Sequence, residues 1–105
     1  MGSERRRAPR YQLVAEAEIT SPLSHASLKA RTSDLSLVGC FMNTNYSLPL
    51  GTEIQLQLKY DGTTFEAIGT VARSEPSMGF GVSFGNMKEA QQMLLRTWLQ
   101  GLAIR

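Results

Sequence analysis

IQLQLKYDGTTFEAIGTVARS, residues 54–74, decides the fold. Ile54, Leu56, Leu58 and Tyr60 alternate with Gln55, Gln57 and Lys59, the two-residue period of a strand with one buried face. Asp61 and Gly62 follow, a pair that tolerates the positive φ required at both central positions of a type I′ hairpin turn. The chain then returns through about Thr63 to Ser74, presenting Phe65, Ala67 and Val71 on one face. The segment therefore reads as an antiparallel hairpin.

The flanks repeat the pattern. Downstream, Pro76 and Ser77 break the return strand, and Gly79 to Phe84 supplies a last short one. Upstream, Asn43 to Gly51 is polar and holds Pro49, so it reads as a loop, preceded by a short apolar strand over Val38 to Met42. Leu28, Ala30 and Thr32 alternate with Lys29 and Arg31. Before the turn Ser21 to His25, Leu13, Ala15, Ala17 and Ile19 alternate with Gln12, Glu16 and Glu18. Short strands joined by tight connections predict an all-β domain, a six-stranded antiparallel barrel that is closed or nearly so.

One helix is predicted at the C-terminal end, over residues 87–101. Asn86 is read as its N-cap with Glu89 three residues on, and Gly101 as its end. Met87, Ala90, Leu94 and Trp98 share a face that Met93, Leu95, Leu99 and Leu102 widen. Such a stripe is expected to cover the barrel, and its breadth leaves room for a homodimer contact.

The formal charge of +2 is unevenly placed. Residues 1–10 hold Arg5, Arg6, Arg7 and Arg10 against Glu4, a net of +3, so residues 11–105 carry a net of −1. A basic arm on a near-neutral body points to a local anion site rather than to a uniformly basic nucleic-acid surface. The division expected is a flexible arm over residues 1–10 and a barrel with its helix over 11–105.

Several function classes lack their residues. No run approaches the ~18 apolar residues of a membrane span, and the basic start leads into no apolar signal core. The single Cys40 leaves no internal disulfide, in keeping with a reducing cytoplasm, and its apolar strand marks it as a packed core thiol. The one histidine, His25, lies in a Ser/Pro turn. There is no nucleophile elbow, no P-loop and no Cys/His ligand cluster, so neither an enzyme nor a metal site is expected.

Two short patterns carry chemistry: Arg6-x-x-x-Arg10 and Asp34-x-Ser36-x-x-Gly39. Guanidinium forks suit phosphate oxygens, the O6/N7 edge of guanine or a purine face. A carboxylate can accept from guanine N1–H and N2–H, a hydroxyl can donate or accept, and glycine lacks a Cβ. Pro9 cannot continue a helix, and a bend there would turn both arginines toward one ligand. The second pattern alone could equally be an Asx/Ser turn closed by glycine.

In this order and combination the two patterns resemble the signature of the PilZ family, bacterial receptors for cyclic di-GMP. The family's six-stranded barrel with a C-terminal helix has the same element order. Leu48 to Thr52 and Gly81 to Phe84 are similar to its loop into the fourth strand and to its final strand. The resemblance implies a non-enzymatic receptor in the bacterial cytoplasm, with no cofactor beyond the ligand itself. Arg6 and Arg10 would take phosphate and guanine, Asp34 a guanine edge, and Ser36 a phosphate or purine edge. Gly39 would let a base lie near the backbone. In the family a basic residue before the first arginine accompanies an intercalated pair of ligand molecules, which places Arg5 in the set. Arg73 reads as an exposed strand residue that could add a contact. The implied mechanism is an arm ordered by ligand that relays the signal to a protein partner. Two alternatives remain: a protein-interaction adaptor for a motility or secretion apparatus, and a small-barrel binder of RNA or single-stranded DNA. The second expects exposed aromatic platforms, whereas most aromatics here fall on apolar strand faces.

Overall fold

The computed structural model describes residues 8–22 and 26–103. Its elements are β1 (Tyr11–Gln12), β2 (Glu16–Thr20), β3 (Ser27–Leu35), β4 (Gly39–Asn43), β5 (Glu53–Tyr60), β6 (Thr63–Glu75), β7 (Gly79–Phe84) and α1 (Glu89–Ala103). The predicted hairpin is β5–β6, paired in register from Glu53 with Thr70 to Tyr60 with Thr63. Asp61 and Gly62 both have positive φ, 55° and 77°, as the turn demands.

The sheet order is β1-β3-β2-β5-β6-β7-β4, and a further β3–β4 pairing closes it. Six strands, β2 to β7, therefore form an antiparallel ring with no free edge among them, which is the expected barrel. The inward residues of the alternating strands make one core. Ala17, Ile19, Leu35, Met42, Leu56, Leu58, Phe65, Val71 and Phe80 are all buried in it.

The first strand departs from expectation. Leu13 to Ile19 reads as one strand, but the structure breaks it into β1 and β2. Gln12 pairs with Asp34 and Glu16 with Arg31, so the N-terminal segment carries one residue more than β3 across the gap. The buried Thr32 hydroxyl fills the interruption: it donates to the Leu13 carbonyl at 2.6 Å and accepts from Ala15 N–H at 2.9 Å. This bend aims the chain before Tyr11 across the outer end of β3, where Asp34 lies.

The helix also starts later than predicted. Gly85 N–H donates to the Ile68 carbonyl, keeping the chain on β6, and the Lys88 carbonyl is the first to receive helical bonds, from Gln91 and Gln92. Asn86 is thus not the cap. Gly101 stays out of the left-handed region and sits inside the last turn. Leu95, Trp98 and Leu99 are buried against the barrel. Trp98 meets Tyr60 edge-on at 5.4 Å, and its indole N–H donates to the Thr63 hydroxyl at 2.9 Å.

Candidate functional site

Arg10, Asp34, Ser36 and Gly39 converge on one side of the barrel. Arg5 and Arg6 lie outside the described residues. The β1–β3 pairing brings Gln12 opposite Asp34, and two residues earlier the Arg10 guanidinium reaches the Asp34 carboxylate at 3.9 Å. That pair is open to water, with side-chain exposures of 62% for Arg10 and 27% for Asp34. Ion pairs so exposed contribute at most about 1 kcal/mol, so the contact can be given up to an anionic ligand at little loss.

Ser36 is placed differently from the expectation of a free hydroxyl. Its Oγ accepts from Val38 N–H at 3.1 Å and from Gly39 N–H at 3.2 Å, and it donates to the Gly39 carbonyl at 3.3 Å. Ser36 N–H closes the same turn onto the Gly39 carbonyl at 2.9 Å. One donor and two acceptor positions are the whole capacity of a hydroxyl, so Ser36 shapes the turn that joins β3 to β4. Gly39 likewise has a structural reason: a Cβ there would run into the Val82 carbonyl of β7.

Beside this turn is a shallow groove of about 300 Å³ running across β4, β7 and β6. Gly39, Phe41, Gly81 and Ser83 contribute to its surface, with Arg10 and Arg73 adding two cations. Cys40 also borders it, but its side chain belongs to the core, and burial, aided by the Asp34 charge, pushes the thiol up to about 12, so it stays protonated and inert at neutral pH.

Two groove residues escape a reading by alternation. Phe41 stands between the core residues Cys40 and Met42 and is not part of the interior cluster. It therefore faces outward, yet it is only 8% exposed. Its cover includes Arg73, whose guanidinium carbon lies 5.3 Å from the ring centroid. The signal was the alternation itself, obscured because Cys40, Phe41 and Met42 are apolar in succession, and no local pattern joins Phe41 to Arg73.

A closed six-stranded barrel with one C-terminal helix, and a basic residue brought from the N-terminal side onto an Asp-x-Ser-x-x-Gly turn, define a small closed β-barrel domain. The PilZ domain family matches residues 4–101, and the chain belongs to that family. Solved structures agree on the fold. The chain is similar to YcgR from Escherichia coli in complex with c-di-GMP, with a TM-score of 0.78 and 21% identity over 94% of this chain and 46% of that one. It is similar to the PilZ domain of YcgR with c-di-GMP, from the same organism, with a TM-score of 0.77 and 16% identity over 94% and 92% of the two chains. The PilZ domain of CeSA from a cellulose-synthesizing bacterium gives a TM-score of 0.72 and 16% identity over 90% and 98%. No curated protein sequence matches the chain.

Proposed function

We propose that this chain is a cyclic di-GMP receptor domain of the bacterial cytoplasm, which binds the messenger without acting on it chemically. The observation that carries the reading is the meeting of Arg10 with Asp34 at the mouth of a groove in a PilZ barrel. The ligand has two phosphodiesters and two guanines. Arg10, with Arg6 and Arg5, supplies the cations; Asp34 accepts from a guanine edge once Arg10 turns to the ligand. Ser36 and Gly39 act by fixing the turn against which the ligand lies, and a ligand bond from Ser36 requires one of its turn bonds to be exchanged. Binding brings the arm over residues 1–10 onto this turn, and the altered surface is what a protein partner reads. The c-di-GMP in both YcgR structures supports the ligand class.

Charge-assisted hydrogen bonds contribute roughly 1.5–3 kcal/mol each, so losing one arginine weakens binding about 10- to 100-fold. Calorimetry with cyclic di-GMP, run beside cyclic di-AMP and GMP, is the test. Heat specific to cyclic di-GMP, reduced by that factor in Arg10→Ala and in Asp34→Ala, is the expected outcome. Silence at tens of micromolar ligand would end the receptor reading. The same titration gives the stoichiometry, and two ligands per chain are expected if Arg5 acts as in its family.

A further inference from the structure

We propose that the β3–β4 turn is a membrane-docking tip: Leu37 and Val38 enter the interfacial layer of an anionic bilayer, and the arginines around them hold lipid phosphates. The messenger site leaves these two side chains without a use. Its ligand chemistry comes from Arg10 and Asp34, and the turn is shaped by Ser36 and Gly39.

The tip is exposed and held in place. Leu37 and Val38 are consecutive at the centre of the turn, with exposures of 39% and 55%. The backbone that carries them is braced on both sides. Val38 N–H and Gly39 N–H donate to the Ser36 hydroxyl, Ser36 N–H donates to the Gly39 carbonyl, and Phe84 N–H of β7 donates to the Val38 carbonyl at 2.8 Å. Two aliphatic side chains therefore stand in water at a fixed position, where turns ordinarily carry polar residues, glycine or proline.

Cations flank the pair on both sides. Val38 borders the groove that holds Arg10 and Arg73, and Leu37 borders the recess that holds Arg96. The Arg10 and Arg73 side chains are 62% and 53% exposed, and Arg96 is exposed on α1. Arg5, Arg6 and Arg7 lie outside the described residues, but a chain advances at most ~3.6 Å per residue, which tethers them within about 11 Å of Ala8. Glu4, Asp34 and Glu75 offset three of these six arginines and leave a net +3 around the tip.

This combination favours a lipid surface over a protein. Protein interfaces centre on aromatic anchors seated in pockets, whereas the apolar element here is two aliphatic side chains on a tight turn. A small apolar wedge and a cluster of basic residues are each too weak to hold a bilayer alone, and together they suffice. No helix among the described residues is long and apolar enough to cross a membrane, so the contact is peripheral. Arg10 ties docking to the messenger. On the receptor reading above, the ligand takes Arg10 and covers the groove side of Val38, so cyclic di-GMP lifts the domain from the bilayer.

The experiment is cosedimentation of the full chain with vesicles of equal parts phosphatidylcholine and phosphatidylglycerol, beside pure phosphatidylcholine vesicles. Wild type, Val38→Ser and the double variant Leu37→Ser/Val38→Ser are compared, with melting curves of each. Wild type is expected to bind the mixed vesicles roughly a hundredfold more tightly than the neutral ones. The double variant should bind the mixed vesicles about tenfold more weakly than wild type, and Val38→Ser, which tests the wedge by itself if the double variant melts early, about threefold. A wild type that binds neither vesicle overturns the proposal and leaves the tip to a protein partner. Equal binding by wild type and Val38→Ser overturns it too, since the arginines alone would then account for adsorption. Saturating cyclic di-GMP is expected to release the bound protein. Ligand that binds by calorimetry without releasing it would refute the exclusion and leave the receptor reading standing; ligand that does not bind removes that reading, and the wedge variants still decide the docking.

Discussion

Gly39 shows how a motif residue can serve the fold and the site at once. Its missing side chain lets β4 lie against β7 at the Val82 carbonyl, directly beside the groove. Forcing a methyl group into that contact should shift backbone on both strands at a cost of roughly 1–3 kcal/mol. Gly39→Ala is therefore expected to lower the urea midpoint without changing the slope; an unchanged midpoint would mean the two strands part freely there. Its neighbour Cys40 makes a pH-dependent contribution. The thiol is raised from 9.0 to about 12, first by burial and then by the Asp34 carboxylate. The folded chain thus keeps a proton that the unfolded chain releases above pH 9.0, so this contribution is full below pH 9.0 and is lost as pH climbs toward about 12. The stability advantage of wild type over Cys40→Ala should accordingly shrink on passing from about pH 8 to about pH 10.5. Parallel pH curves for the two proteins would show that the thiol ionises alike in both states.

At the scale of elements, what alternation encodes was legible and what neighbours impose was not. The β5–β6 hairpin and β7 follow directly from side-chain period and from Asp61 and Gly62, because those signals are local. The break between β1 and β2 was hidden: Leu13, Ala15 and Ala17 continue one buried face, and the gap is bridged by the Thr32 hydroxyl, far along the chain, beside backbone bonds from Leu13 N–H to the Ser33 carbonyl and from Thr32 N–H to the Ala15 carbonyl. The start of α1 was misplaced for a similar reason. Asn86 suits a cap by residue type, but Gly85 is tied to Ile68 and the chain first turns at Lys88. The site divided the same way. Arg10 and Asp34 were singled out by their motifs, and the structure brings them within 3.9 Å, whereas the Arg73–Gly81–Phe41 row exists only through the β6–β7–β4 register. The helix itself is anchored by long-range contacts. Trp98 fills the space between Tyr60 and Phe65 and bonds Thr63, so Trp98→Ala should destabilise the fold by about 3–5 kcal/mol. Trp98→Phe, keeping a smaller aromatic ring but not the N–H, should lose less, about 1–3 kcal/mol from the missing hydrogen bond and the space left beside the ring. Chemical denaturation of both variants measures the difference, and equal losses would show that the indole hydrogen bond carries the larger part.

The whole molecule joins the groove to its helix through a second recess. Pro9 and Tyr11, the residues on either side of Arg10, meet Leu37, the residue after Ser36, together with Leu99, Gln100 and Ala103 of α1, around an apolar recess of about 260 Å³. A ligand held by Arg10 and seated against the Ser36–Gly39 turn therefore acts on both segments that pack against the final turns of the helix. The paired part of the β5–β6 hairpin, residues 53–70, has no residue in the groove and is expected to be left unchanged. Ligand that only filled the groove would slow amide exchange near residues 8–12 and 36–41. Ligand that braces the arm and the turn together must also slow exchange over residues 96–103, because opening of the last helical turns takes Leu99 away from the recess that Tyr11 and Leu37 line. Exchange measured with and without cyclic di-GMP is expected to show protection in all three stretches, and over residues 4–7 as the arm joins them, with residues 54–66 unaffected. Protection confined to the groove would mean that the helix end does not sense the ligand, and the surface read by a partner would then have to be the arm itself.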